Sequence, residues 1–416
     1  MNNNLYKKKA LKRLRFSIMI ILVYILGSNI SIPGINSKVF MNLMGENPNL
    51  FFALGMTGLS LENFSLFSIG LGPWMSTLIF WRVLSVSKVF KLENMTETQS
   101  YRIKFILAMG FGIIQSLGIL SQMGPLGPSA EFPKWMLVSF LITGLAIIIW
   151  LGNMNKLYGF GGATLIILIN IMRQWPRRII EQLSLVSMNV THITLIILAT
   201  LIAGFLLFLI FRFYQGERRL PLIHVMLDGS YSREAYIPIS TNPAGGMPYM
   251  YAFSMVLFPQ YLLILLGGER SKYGLVRALY TQLQLDHIGG VILLITIVVI
   301  LTYGFSYVNV DYKVLAESLR NSGDYFRNVY PGKNTERYLF HKVSIMATVG
   351  AIFNSVVIGL PMFISLIWKS MSVWAQLVPT TILVMVLMRE IYVQFQQAYH
   401  RNDYSRFVHG GALYNE

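Results

Sequence analysis

The sequence predicts an all-α membrane protein with ten transmembrane helices. Three observations carry that prediction. Hydrophobic residues make up 54% of the 416 positions and charged residues 12%, against about 25% charged in soluble proteins. Mean hydropathy is +0.55. Ten stretches contain no Asp, Glu, Lys or Arg, and most approach or exceed the roughly 20 apolar residues that cross a bilayer. With 34 basic and 18 acidic residues, the chain cannot cover a water-facing surface of its size. Its hydrophobicity equally excludes disorder.

The elements follow in order. Residues 1–15 form a basic N-terminus carrying Lys7, Lys8, Lys9, Lys12, Arg13 and Arg15. The first span is Phe16–Ser37. A basic region before an apolar run also describes a signal peptide, but no small-x-small cleavage site follows Leu26, so a retained anchor is expected. Asn49 to Leu59 is apolar but broken by Gly55 and Gly58. A run this short is read either as a re-entrant, internally buried segment or as an ordinary external loop with a surface helix. The next spans are Asn63–Trp81, Phe105–Ala130, Trp135–Asn155 and Leu157–Met172, the last short and opening on glycines. Gln182–Phe211, Ala235–Gly268, His287–Val310, Val343–Trp368 and Ser370–Met388 complete the ten. A tail, residues 394–416, follows.

Charge sets the orientation. With alternating loops and an inside N-terminus, 25 of the 34 Lys and Arg fall on the cytoplasmic side, as the positive-inside rule requires. Both termini are then cytoplasmic. Arg173, Arg177 and Arg178 form a local exception on an outside loop. The net charge of +16 is thus a topological signal, and no nucleic-acid partner is expected. Two large cytoplasmic loops, at about residues 212–246 and 311–342, mix charges with aromatics and suit docking of a cytosolic partner.

Enzyme chemistry is missing. HExxH, GxxxxGK[ST] and GxSxG motifs are absent, the six histidines are scattered, and there is no cysteine. No catalytic residue, metal site or cofactor is expected. The span cores carry no Asp or Glu, which argues against a proton-coupled transporter and an intramembrane metalloprotease. A sodium-coupled transporter using backbone carbonyls stays open.

Several segments resemble the SecY/Sec61 protein-conducting channel family. Ser68-Ile69-Gly70-Leu71-Gly72-Pro73-Trp74 resembles its second span, and Gln115-Ser116-Leu117-Gly118-Ile119 its third. Trp150-Leu151-Gly152 with Gly159-Phe160-Gly161-Gly162 is similar to the WLGE…GIGNG stretch joining spans four and five. Gln215-Gly216-Glu217-Arg218-Arg219 resembles the start of the sixth-to-seventh loop. Asn242-Pro243-Ala244-Gly245-Gly246-Met247-Pro248 with Phe258-Pro259 resembles NxAGxIP…FP of the seventh span. Ala316-Glu317-Ser318-Leu319-Arg320-Asn321-Ser322-Gly323 and Pro331-Gly332-Lys333-Asn334-Thr335 resemble ADNLKKSG and RPGxxT of the eighth-to-ninth loop. The motifs occur in order over nearly the whole chain. There are departures: Tyr330 replaces the Arg before Pro-Gly, Gly162 replaces the Asn of GNG, and Gly-Pro-Trp replaces a bulky residue before Pro-Tyr. With these, the chain most resembles the accessory SecY subunit of some Gram-positive bacteria.

The resemblance implies two inverted five-helix halves, residues 16–176 and 182–393, in a bacterial plasma membrane. It implies a plug at about residues 49–65, containing Leu50, Phe51, Phe52, Leu54, Gly55, Met56 and Gly58. The apolar pore ring would be Leu71, Met75, Thr164, Leu168, Met250 and Ile382. Such a ring resists ions by offering no replacement for their hydration, and Thr164 brings a hydroxyl to it. Gln115 falls at a polar position of the lateral gate, between spans two and three on one side and seven and eight on the other. Contacts for a SecA-type motor ATPase would be Arg218, Arg219, Lys313, Arg320, Arg327, Tyr330, Lys333 and Arg337. Further expected partners are small SecE/SecG-like subunits or accessory Sec proteins, anionic lipids, and the secreted polypeptide itself. The function implied is export of serine-rich repeat glycoprotein adhesins. General secretion by a housekeeping SecY is the first alternative. A small-solute transporter broken at Gly72-Pro73 and Gly159–Gly162 is a more distant one.

Overall fold

The computed structural model describes residues 3–32, 64–86, 95–122, 133–184, 204–205, 207–223, 236–268, 271–368 and 372–399. The expected plug residues Leu50 to Gly58 lie outside them. The described residues are mostly helical. In chain order they form α1 (Asn3–Ser28), α2 (Gly72–Val86), α3 (Glu97–Gln122), α4 (Lys134–Tyr158) and α5 (Gly162–Ser184). A helical stretch at 207–215 leads to strands β1 (Glu217–Pro221) and β2 (Tyr236–Ser240). Then come α6 (Met247–Leu265), α7 (Gly274–Leu283), α8 (Ile288–Asn309), α9 (Tyr312–Ser322), α10 (Lys333–Ile367) and α11 (Ser372–Tyr399).

Among the described residues, six helices are long and apolar enough to cross a membrane. They are α3, α4, α6, α8 with its continuation into α9, α10, and α11 from Gln376. The other four predicted spans carry helix over shorter described lengths. In α1 only the turns after Arg15 are apolar, and the apolar part of α5 is Gly162–Gln174.

The chain divides into two compact units. One comprises Met1–Leu183, Phe253–His287 and Leu383–Glu416, the other Ser184–Ala252 and Ile288–Ile382. The first unit is built around α4, which packs on both α1 and α3. Small residues permit close approach: a β-carbon on Gly112 of α3 would fall 2.5 Å from Leu145 Cδ2 of α4, and one on Gly144 of α4 would fall 1.8 Å from the carbonyl oxygen of Leu66, in the turn before α2. At the end of α4, buried Asn155 donates to the carbonyls of Phe160 (2.6 Å) and Gly162 (3.0 Å). The Ser17 hydroxyl of α1 donates to Asn155 and accepts from the Phe160 N–H, both at 2.8 Å. Gly162 has φ +52°, a left-handed conformation open to glycine and, next best, to asparagine. Replacement of the family's Asn by Gly therefore preserves the backbone. Arg173 of α5 donates to Ser28 Oγ and Asn29 Oδ1 at the end of α1, at 2.5 and 2.6 Å. A cation is favoured at a helix C-terminus, which gives this Arg a reason to break the charge bias.

In the second unit the most extensive helix pairing is α8 with α10. Asn354 of α10, fully buried, accepts from the Asn242 amide (3.0 Å) and the Tyr249 hydroxyl (2.8 Å), and donates to Thr302 Oγ1 of α8 (3.1 Å). Tyr214 donates to the Tyr249 hydroxyl at 3.1 Å. The Asn242-Pro243-Ala244-Gly245 turn is thereby fixed to α8 and α10. β1 and β2 form an antiparallel hairpin, with Arg218 opposite Ile239 and Leu220 opposite Ile237. An isolated bridge joins Ile223 to Tyr325. Leu220, Leu222, Ile239, Ala316, Leu319, Phe326, Leu339 and Val343 enclose one small hydrophobic core. The described parts of the two large loops thus form a single folded module. The hairpin and this shared core had not been anticipated from the sequence.

Candidate functional site: a closed seam and a basic module

The first unit contains a seam where α2 and α3 meet residues 253–265 of α6. Pro73 opens α2 in its first turn, where a missing N–H breaks no helical hydrogen bond. The Thr77 hydroxyl returns to the Pro73 carbonyl at 2.8 Å. One turn of α2 then presents Met75 and Ser76 to α6. Ser76 Oγ donates to the Ser254 carbonyl at 3.2 Å, and Ser254 Oγ donates to the Met75 sulfur at 3.5 Å. From α3, Phe111 meets Phe258 with ring centroids 4.5 Å apart, and Phe80 of α2 lies edge-on to Phe111 at 6.0 Å. One helical turn on, the Tyr261 ring lies over Gly118. Aromatic contacts of this kind contribute about 0.5–1.5 kcal/mol beyond area burial.

Inside the seam is a cavity of about 10 Å³, room for about one water. Its lining is Gly72, Pro73, Ser76, Phe111, Gln115, Ser254, Leu257, Phe258 and Tyr261, with no charged residue. Gln115 is buried, and its amide donates to the Ile69 carbonyl at 3.4 Å. That bond runs to the turn before α2, not to α6. The amide nevertheless lines the cavity beside Tyr261. The seam is thus apolar packing joined by weak, neutral hydrogen bonds, an interface that can part without stranding a charge.

Of the predicted ring residues, Leu71, Met75 and Leu168 are buried and Thr164 half-buried in the first unit. Met250 and Ile382 are buried in the second. The structure ties Met75 directly into the seam through Ser254. Neither Ser76 nor Ser254 had been singled out in the sequence. No local pattern marks them, because the bonds join residues 178 and 179 positions apart.

The predicted docking residues all fall on the folded module. Arg219, Lys313, Arg320, Arg327, Lys333 and Arg337 are exposed, and Arg218 is half-buried. Arg219 pairs with Glu217 at 2.9 Å and lies over the Tyr236 ring at 4.7 Å. The Glu217 hydrogen bond raises the Arg219 pKa above its ordinary value, so this charge is fixed at any physiological pH. Arg320 lies 3.7 Å from Glu317 one turn earlier on α9. Asp311 caps α9 by accepting from the Val314 N–H at 3.3 Å. Tyr330 is 80% exposed, and Thr335 fixes its carbonyl at 3.2 Å. The side chain that replaces the family's Arg is therefore displayed to solvent on an anchored backbone.

Comparisons with known proteins agree with this geometry. The family model for SecY matches residues 65–391. The accessory Sec system protein translocase subunit SecY2 of Leuconostoc gelidum subsp. gasicomitatum is 30% identical over 411 residues, covering 95% of this chain and 96% of that protein. The protein of the same name from Streptococcus salivarius is 35% identical over 362 residues, covering 86% and 87%. Among solved structures, a SecY channel described for the plug domain that stabilises its closed state superposes with a TM-score of 0.62. It is 15% identical and covers 93% of this chain and 92% of that one. A family match across most of the chain, relatives at 30% and 35% identity over 95% and 86% of it, and a shared fold lead to one conclusion: this multi-pass membrane protein belongs to the SecY family of protein-conducting channel subunits.

Proposed function

We propose that this chain is the channel subunit of an accessory-type Sec translocase, exporting serine-rich repeat glycoprotein adhesins across a bacterial plasma membrane with both termini cytoplasmic. The observation that carries the reading is the near end-to-end similarity, at 30–35% identity, to proteins named accessory SecY2. Polypeptide would pass an apolar ring of Leu71, Met75, Thr164, Leu168, Met250 and Ile382, with the segment around Leu50–Gly58 as plug. The α2–α3/α6 seam is the lateral gate in its closed form. Opening it separates Phe111 from Phe258 and breaks the Ser76–Ser254 bond. Each such neutral bond contributes about 0.5–1.5 kcal/mol, a scale that a bound hydrophobic signal helix can offset by burying its own apolar surface.

Nothing in the chain carries a nucleotide-binding motif, so the work of export comes from a partner. A SecA-type ATPase would dock on the β1–β2/α9 module through Arg218, Arg219, Lys313, Arg320, Arg327, Lys333 and Arg337. The exposed Tyr330 would set its preference among motors. Small SecE/SecG-like subunits or accessory Sec proteins complete the complex, and anionic lipids neutralise remaining basic surface. The test is reconstitution into vesicles with the accessory ATPase. The reading requires ATP-dependent protection of an adhesin precursor from external protease. Solute uptake by the vesicles without any protection of polypeptide would overturn it.

A further inference from the structure

α7 (Gly274–Leu283) has no buried residue. It follows directly on α6 and precedes α8. Because α6 is long and apolar enough to cross the membrane, α7 follows the end of a span. Its apolar side chains fall at helical spacing: Leu275, Val276, Leu279 and Leu283 share one side, and Arg277 and Thr281 the other. Val276 and Leu283 are half-covered, but Leu275 is 72% and Leu279 44% exposed.

We infer that α7 lies in the membrane–water interface, with its Leu275–Leu279 edge in lipid. What covers this edge is the bilayer, because the membrane-spanning helices that precede and follow α7 in the chain are themselves exposed and apolar where they lead into and out of it. Leu262, Leu265 and Leu266 at the end of α6 are exposed, and so are Ile288 and Ile292 where the chain enters α8. The flanks fit a headgroup layer. Tyr273, 74% exposed, precedes the helix, Lys272 and Arg277 are exposed, and no Asp or Glu occurs between residues 271 and 283. Short helices with one apolar edge and cationic flanks bind in this way, and tyrosine concentrates at the same depth. The position is fixed by the fold: Gln260 of α6 donates to the Leu283 carbonyl at 2.6 Å. Lipid contact along α7 therefore holds the end of α6 at a set depth. The inference rests on the membrane topology and not on the gate reading.

The chain has no cysteine, so single cysteines at Leu275, Leu279 and Arg277 can each carry a nitroxide in the full-length protein. The host would be vesicles of phosphatidylcholine and phosphatidylglycerol. Collision with oxygen should exceed collision with a water-soluble nickel chelate at positions 275 and 279, and the order should reverse at 277. Equal nickel access at all three positions would mean that α7 stands in water and would overturn the inference. Shielding of 275 and 279 from both reagents would mean that protein covers the edge, and would overturn it too.

Discussion

The Tyr261 ring lies so close over Gly118 that a β-carbon there would come within 2.8 Å of its Cδ1 atom. Two helices meet at this point of the seam with no space for a side chain. Gly118→Leu should wedge them apart. Overpacking costs about 1–3 kcal/mol, and here the strain is relieved by opening the seam. The expected result is increased ion leak through the channel in planar bilayers, with the protein still folded by gel filtration. Unchanged conductance in a folded variant would show that this contact does not hold the channel shut.

Asn354 joins Asn242, Tyr249 and Thr302 in one buried network. Asn354→Leu keeps the branched heavy-atom skeleton, is somewhat bulkier, and removes every bond. Each orphaned polar group costs about 1–3 kcal/mol, so the variant should lose several kcal/mol and melt well below the parent in detergent. Ala at exposed Lys313 should leave the melting temperature unchanged. Equal melting of the Asn354 variant and the parent would remove the network from the account.

Gly162 occupies a left-handed backbone position, φ +52°. Gly162→Asn should be nearly neutral, whereas Gly162→Val should cost at least the roughly 1–2 kcal/mol of a left-handed L-residue. Thermal unfolding of the two variants reads the difference. A Val variant as stable as the Asn variant would contradict the turn geometry.

Tyr330 stands exposed at the position where the RPGxxT motif that this loop resembles has Arg. Tyr330→Arg should raise stimulation of a housekeeping SecA ATPase by this channel and lower that of the accessory motor. Equal stimulation of both motors by the parent protein would contradict the proposed selectivity.

The fold was legible where one physical rule governed a long window. α3, α4, α6, α8 and α10 follow from uninterrupted apolar runs. The short α2 and the glycine-led α5 begin inside predicted segments but run past their charged ends, at Arg82 and Arg173. The loop module was not legible. Leu220 and Ile239 come from five-residue strands broken by Pro221 and Pro238, and their partners Leu319 and Phe326 lie beyond two further spans. No local window contains that core. Gln115, singled out through the resemblance, lines the seam's cavity. Its bond to Ile69 depends on side-chain direction, which spacing does not encode. The Ser76–Ser254 pair was hidden for a similar reason: serines on apolar helices usually bond within their own helix, and only packing shows one that reaches across.

The central claim is that a polypeptide crosses the ring. The most direct measurement places a photo-crosslinking residue at Met250, in vesicles holding the accessory ATPase and a stalled adhesin precursor. The account predicts an adduct that requires both ATP and the precursor's signal sequence. No adduct at Met250, with Leu71 and Ile382 equally silent while the motor hydrolyses ATP on the same substrate, would contradict it.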